Sequence, residues 1–241
     1  MNRNKAVNSN EGARQLAYLT VFAIAMAYLE SAVVVYLRQL FHPQNLRQVF
    51  PPGEFSPAFL VLEIGREAAT IIMMWAVARL VARSRPDRLF PLFVFLFGVW
   101  DLFYYFWLKI LIGWPVHWLE WDILFLIPFA WVGPWLTAAL IALLLVVWSF
   151  ILLRNNIPFR NQRRFRLLFL PGCALCIAAF LQPALAAYLQ SGKGALAALQ
   201  PSHFWWPLFA AGYFLIAAGL WSTVETGDSV RKDSPGETSS E

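Results

Sequence analysis

The sequence predicts an all-α membrane fold, a polytopic transmembrane helical bundle of about six spans with a short re-entrant or interfacial element. Three observations predict it. Of 241 residues, 59% are hydrophobic and 14% are charged, whereas soluble domains run about 45–50% apolar and about 25% charged. So much apolar surface cannot all be buried in a chain of this length, and lipid must solvate part of it. Six separate runs are long enough to cross a bilayer, which takes roughly 20 apolar residues. Lysine and arginine, finally, collect in alternate loops.

The predicted spans are 15–37, 57–82, 89–112, 134–153, 167–189 and 204–223. The first follows a polar, basic tail (1–14) holding Arg3, Lys5 and Arg14. Ala25-Met26-Ala27 has the small-x-small form of a signal-peptide cleavage site, but the apolar run continues through Tyr36, beyond a typical signal core. The connection between the second and third spans carries Arg79, Arg83, Arg85 and Arg88, and that between the fourth and fifth carries Arg154, Arg160, Arg163, Arg164 and Arg166. With the N-terminal three these make twelve, against four (Arg38, Arg47, Lys109, Lys193) on the opposite side. The positive-inside rule then places both termini in the cytoplasm. This pattern also sets aside nucleic acid as a partner despite the net charge of +5, because the basic residues sit at helix ends on one side. The bilayer is the expected partner, alongside a second copy of the chain or another membrane subunit.

Residues 113–133 are the irregular part. Their apolar stretch, Ile123–Val132, is too short to span, is broken by Pro128 and is closed by Gly133-Pro134. A seventh helix here would put the five arginines of 154–166 outside, against the charge rule. A re-entrant or interfacial segment satisfies the pattern, provided protein or water covers its backbone. Trp107, Trp114, Trp118, Trp121, Trp131, Trp135, Trp205 and Trp206 read as an aromatic belt at the outer interface. The tail from 224 onward is polar, lacks aromatics and reads as a disordered cytoplasmic segment.

Ionisable groups within spans are costly, about 2.5–3.5 kcal/mol each at a helix centre, and mark either helix pairing or a site. Glu30 lies in the first span, Glu63, Arg66 and Glu67 in the second, Asp101 and Lys109 in the third. Glu63, Arg66, Glu67 and Thr70 share one helical stripe, as do Asp101, Tyr105 and Lys109. Ala23, Ala27 and Glu30 share a face whose small residues permit close approach. Pointed at one another, these stripes set four carboxyls against two cations in the middle and outer half of the membrane. That excess suits a proton, a cation or a polar head group; without it, the cluster is packing glue.

His42, His117 and His203 fall on the outer side with Asp122, and are weak candidates for a metal because no spaced ligand motif joins them. With no histidine in the membrane core, a bis-histidine haem is disfavoured. The two cysteines, Cys173 and Cys176, form a C-x-x-C in apolar surroundings, which suits structural thiols better than a redox pair. No haem-attachment, Walker or glycine-rich nucleotide motif is present, and the sequence leaves any cofactor unknown.

The strings YLESAVVVYLR (28–38), GREAAT (65–70), WDLFYYFWLK (100–109), GWP (113–115) and WDILFLIPFAWVGP (121–134) occur in that order. As a set they resemble a group of bacterial multi-pass membrane proteins to which no activity is attached. The resemblance covers about 15–135 and implies a bacterial cytoplasmic-membrane home and a self-contained bundle. Three function classes stay open: a small transporter or ion- and proton-binding protein, a non-catalytic subunit or assembly factor of a membrane complex, and a membrane-embedded enzyme acting on a lipid-like substrate. The last lacks an evident nucleophile or metal motif. For the topology, an alkaline phosphatase fused within 40–52 should be active in intact bacterial cells and one fused after residue 241 inactive; the reverse pattern would invert the predicted orientation.

Overall fold

The computed structural model describes residues 2–52, 56–160, 162–192 and 199–232, with side chains for all of these except 2–10, 191 and 226–232. Six helices run in order: α1 (Asn2–Phe41), α2 (Pro57–Val81), α3 (Leu89–Ile112), α4 (Trp135–Arg154), α5 (Arg163–Ser191) and α6 (Trp206–Lys232). A 3₁₀ turn (Pro86–Arg88) leads into α3, and strands β1 (Trp121–Phe125) and β2 (Trp131–Pro134) separate α3 from α4. The fold is the predicted all-α bundle. Five helices, all but α2, are long and apolar enough to cross a bilayer, and the protein is membrane-embedded.

Helix α2 fails that composition test because of Glu63, Arg66, Glu67 and Arg79, yet its faces are arranged for a membrane. Glu63, Glu67 and Thr70 are buried, while Val61, Leu62, Ile72, Met73, Trp75 and Leu80 are exposed. At 1.5 Å per residue its 25 residues reach about 37 Å, enough to span. Its start is set by Ser56, whose Oγ accepts from the Phe59 N–H at 3.2 Å, with Pro57 in the first turn.

Two helices far exceed the predicted spans, and α5 exceeds its own by a few residues at each end. α1 is helical from Asn2 rather than from 15, and α6 continues to Lys232 instead of ending near 223. Hydropathy marks where lipid solvates a helix, not where the helix stops, and neither extension contains a proline. The expected disordered tail therefore begins with helix over 224–232; residues 233–241, like Lys193, lie outside the described residues.

Helix α3 is the hub. It packs against α1, α2 and α4, and no residue of its N-terminal half is exposed. One apolar core joins α1, α2 and α3 around Ala23, Ala27, Met74, Ala78 and Leu96. The other joins α4, α5 and α6 around Trp148, Phe165, Phe180 and Phe209. Both arginine-rich loops lie at one end of the bundle, where Arg88 bonds Asn156 and Phe90 packs on Phe159 at 5.0 Å between centroids.

Between α3 and α4 the chain makes an antiparallel hairpin, with Trp121 opposite Pro134 and Ile123 opposite Val132. This is the segment expected to be re-entrant or interfacial, and its backbone forms a β-hairpin. Pro115, Pro128 and Pro134 bar a helix, whereas a hairpin pairs the facing backbone groups of β1 and β2 with each other, and Glu67 takes the Leu126 N–H. β2 seats against α5, where Trp131 stacks on Phe180 at 6.1 Å.

Close approaches at glycine fix the helix crossings. A Cβ on Gly212 of α6 would meet Cys176 Sγ and the Gly172 carbonyl of α5, both at 2.7 Å; one on Gly98 of α3 would meet the Ala142 carbonyl of α4 at 2.7 Å. Cys176 is buried in this crossing as a free thiol. Gly65, by contrast, has nothing within 4 Å of such an atom. Gly212→Val should cost about 1–3 kcal/mol from overpacking and lower the thermal midpoint in detergent, whereas Gly65→Ala should hold or raise it; equal behaviour of the two would show that the crossing does not govern stability.

Candidate functional site

The polar residues of the first three helices come together around one cavity of about 160 Å³. Its origin is architectural. α1 and α2 each pack on α3 but scarcely touch one another through their backbones, and the space between them is closed on the far side by β1. Glu30, Arg38, Glu63, Arg66, Glu67, Thr70, Asp101, Tyr104, Tyr105 and Asp122 all line it. The cavity runs from this polar floor toward Val34, Leu37, Phe41, Phe59 and Leu60, and on to the loop residues His42, Gln48 and Pro52.

A set of internally paired groups makes up one part of the floor. Arg66 forms an ion pair with Glu30 across the α1–α2 gap, and a second with Glu63 on its own helix at 2.9 Å. The Glu63 contact is bidentate from Arg66, Nε lying at 3.1 Å from the same oxygen. Thr70 Oγ1 donates to Glu30 and is also within reach of the Arg66 carbonyl at 3.1 Å. Spacings of three and four residues put all the α2 members on one face, which is why they meet α1 together.

A second pair joins α1 to the hairpin. Arg38 lies 3.7 Å from Asp122, with both side chains buried, and its guanidinium sits 4.2 Å over the ring of the fully buried Trp114. Tyr105 donates to Asp122 at 3.3 Å. Trp107 Nε1 donates to the Ile24 carbonyl at 3.1 Å, and Ser31 Oγ to the Tyr104 carbonyl at 3.0 Å, which lock α1 against α3 beside the cavity.

Glu67 and Asp101 are different. Glu67 is buried and accepts the Leu126 N–H at 2.9 Å, so a carboxylate of α2 holds the turn of the hairpin, but it forms no ion pair among the described residues. Asp101, on α3, has neither an ion pair nor a hydrogen bond among the described residues, and its Oδ2 is sealed from solvent. The floor thus holds five carboxyls and two guanidiniums. His42 at the rim adds little positive charge, since burial first and Arg38 second hold its imidazole below the ordinary value.

Of the predicted site residues, Glu30, Glu63, Arg66, Glu67, Asp101 and Tyr105 are brought together, and Lys109 is not. Lys109 Nζ donates to the Pro115 carbonyl at 2.7 Å and fastens the chain leaving α3. Arg38 and Asp122 take its place. Arg38 counts in the sequence as an outer-end charge, and its signal was the stripe it completes with Glu30, Val34 and Leu37. Asp122 enters the site as the partner of Arg38, not with the histidines: His117 and His203 are exposed away from the cavity. Among the described residues no group of three His, Cys, Asp or Glu is placed to hold a metal. The aromatic belt also needs revision. Trp118, Trp205 and Trp206 are exposed as a belt requires, but Trp114 is core.

Comparison with protein-family models, with curated proteins and with solved structures finds no match to this chain. The reading of the site accordingly rests on its geometry.

Removing Arg66 should leave Glu30 and Glu63 buried without a cation, a loss of about 3–5 kcal/mol for a broken buried pair. Arg66→Met should therefore unfold the purified protein at markedly lower temperature, while Lys109→Met, outside the cavity, should shift it little. Comparable midpoints would contradict the bridging role of Arg66.

Proposed function

We propose that the protein is a small membrane transporter, or an ion- and proton-binding membrane protein, that works through the cavity between α1, α2, α3 and the hairpin. The observation that carries this reading is the division of the carboxyls. Glu30, Glu63 and Asp122 are matched to Arg66 and Arg38, and these pairs are the packing glue of the bundle. Glu67 and Asp101 line the same cavity and form no ion pair among the described residues. Helix pairing needs no such surplus, whereas binding a proton or cation inside a membrane does.

Orientation and location belong to the same reading. With the arginine-rich end in the cytoplasm, both termini are cytoplasmic and the rim at His42, Gln48 and Pro52 faces outward, in the cytoplasmic membrane of a bacterium. Six helices are few for a complete translocation path, so a second copy of the chain is the expected partner. Proteoliposomes holding an internal pH indicator provide the test. Under an imposed gradient, wild type should acidify the lumen above empty vesicles, and Glu67→Gln should reduce that rate about tenfold or more, as expected for loss of a proton-carrying group. Equal rates for the two proteins would remove the proposal.

A further inference from the structure

The cavity has features that a proton or a bare metal ion does not require. It has room for several water molecules, and beyond its acidic floor the walls are largely aromatic and aliphatic. Trp100, Tyr104 and Tyr105 lie beside the carboxyls, with Phe41, Phe59 and Phe125 farther out. Phe41 and Phe59 meet edge to face at 5.1 Å between centroids across the α1–α2 gap. Val34, Leu37 and Leu60 continue the same rim, and all are half-buried. In a bilayer this rim borders acyl chains, because α1 and α2 leave the gap unclosed by backbone contact.

Resting on the proposed function, we propose that the ligand of this cavity is an organic ammonium group carried on an apolar chain, with Asp101 and Glu67 as its carboxylates and the α1–α2 rim as the bed of the chain. The charge pattern selects the head. Both arginines are already engaged by Glu30, Glu63 and Asp122, so an anionic head would have to displace a buried pair. Among the described residues Asp101 Oδ2, at the floor, has no partner, and Glu67 has the Leu126 N–H alone. An ammonium supplies up to three donors and one charge to two such acids, and aromatic faces favour it further through cation–π attraction. A hydrated inorganic cation would satisfy the carboxyls but would leave the apolar half of the cavity without a complementary surface.

Such a group reaches the cavity either as the head of an aminophospholipid or as a free long-chain amine. The test uses the full chain in nanodiscs of equal parts phosphatidylethanolamine and phosphatidylglycerol, with the lipid retained on gentle release weighed by native mass spectrometry. Wild type should keep the ethanolamine lipid about tenfold over the glycerol lipid, and decylammonium should displace it. Asp101→Asn and Glu67→Gln, each checked for unchanged helix content, should bring the ratio near one. Binding of decylammonium without a lipid preference, lost in the same variants, supports the head chemistry and assigns the free amine as its source. Retention of phosphatidylglycerol to the same degree together with no binding of decylammonium, or a preference untouched by both variants, overturns the proposal. So does equal displacement by decyl sulfate, which would make the cavity a mere apolar groove. A wild type that shows neither the lipid preference nor decylammonium binding, yet carries proton flux, would remove this inference alone and leave the transport reading standing.

Discussion

Arg66 sits between Glu30 of α1 and Glu63 of its own helix, and the first half of the molecule is organised around that pairing. A guanidinium at mid-membrane can be held only where its charge is met. Its two carboxylates tie α1 to α2 at the place where their backbones stay apart, so the gap between them survives as a cavity instead of collapsing. The same constraint governs the other end of the cavity, where Arg38 and Asp122 join α1 to the hairpin. Both links cross the space they help to enclose, and the cavity is bounded by charge pairing as much as by apolar packing.

The second half is built differently. Between α4, α5 and α6 the contacts are aromatic rings and the glycine crossing of Gly172 with Gly212. The buried polar groups there, such as Trp148 Nε1 donating to the Leu220 carbonyl, make neutral hydrogen bonds, and the ion pair of Arg164 with Glu225 lies at the exposed end of α5 and α6. α3 belongs to both halves, and its glycine at 98 lets α4 approach on the side away from the cavity. The charged half is therefore mounted on a neutral, closely packed one, with the hairpin as the piece that touches both through Glu67 and Phe180.

Much of this was legible because two periodicities are strong. The spans follow from hydropathy, and the stripes Glu63–Arg66–Glu67–Thr70 and Asp101–Tyr105 follow from helical spacing. What escaped is non-local. Lys109 continues the Asp101 stripe by spacing, yet it lies at the end of α3, where a long side chain turns to free carbonyls. Arg38 looked like a terminal charge since nothing in the chain announces Trp114 and Asp122 as its neighbours. The hairpin was recognisable as an irregular, non-spanning piece from its prolines, but strand pairing depends on which segment comes opposite, and a run as short as Trp121–Phe125 does not say. Helix ends at Asn2 and Lys232 were hidden because polarity ends a span without ending a helix.

The composition of α2 bears on how the chain enters the membrane during synthesis. Three ionised groups near its centre would cost about 2.5–3.5 kcal/mol apiece, against about 0.3–0.6 kcal/mol gained by each of its ten Phe, Leu, Ile and Val residues. Alone, the segment is a poor client for an insertion machine that judges one helix at a time. α1 emerges first and carries Glu30, the counter-charge for Arg66. Sequence order thus sets the counter-charge ahead of the charge it meets, and a nascent chain lacking Glu30 would offer the translocon a segment it has reason to reject.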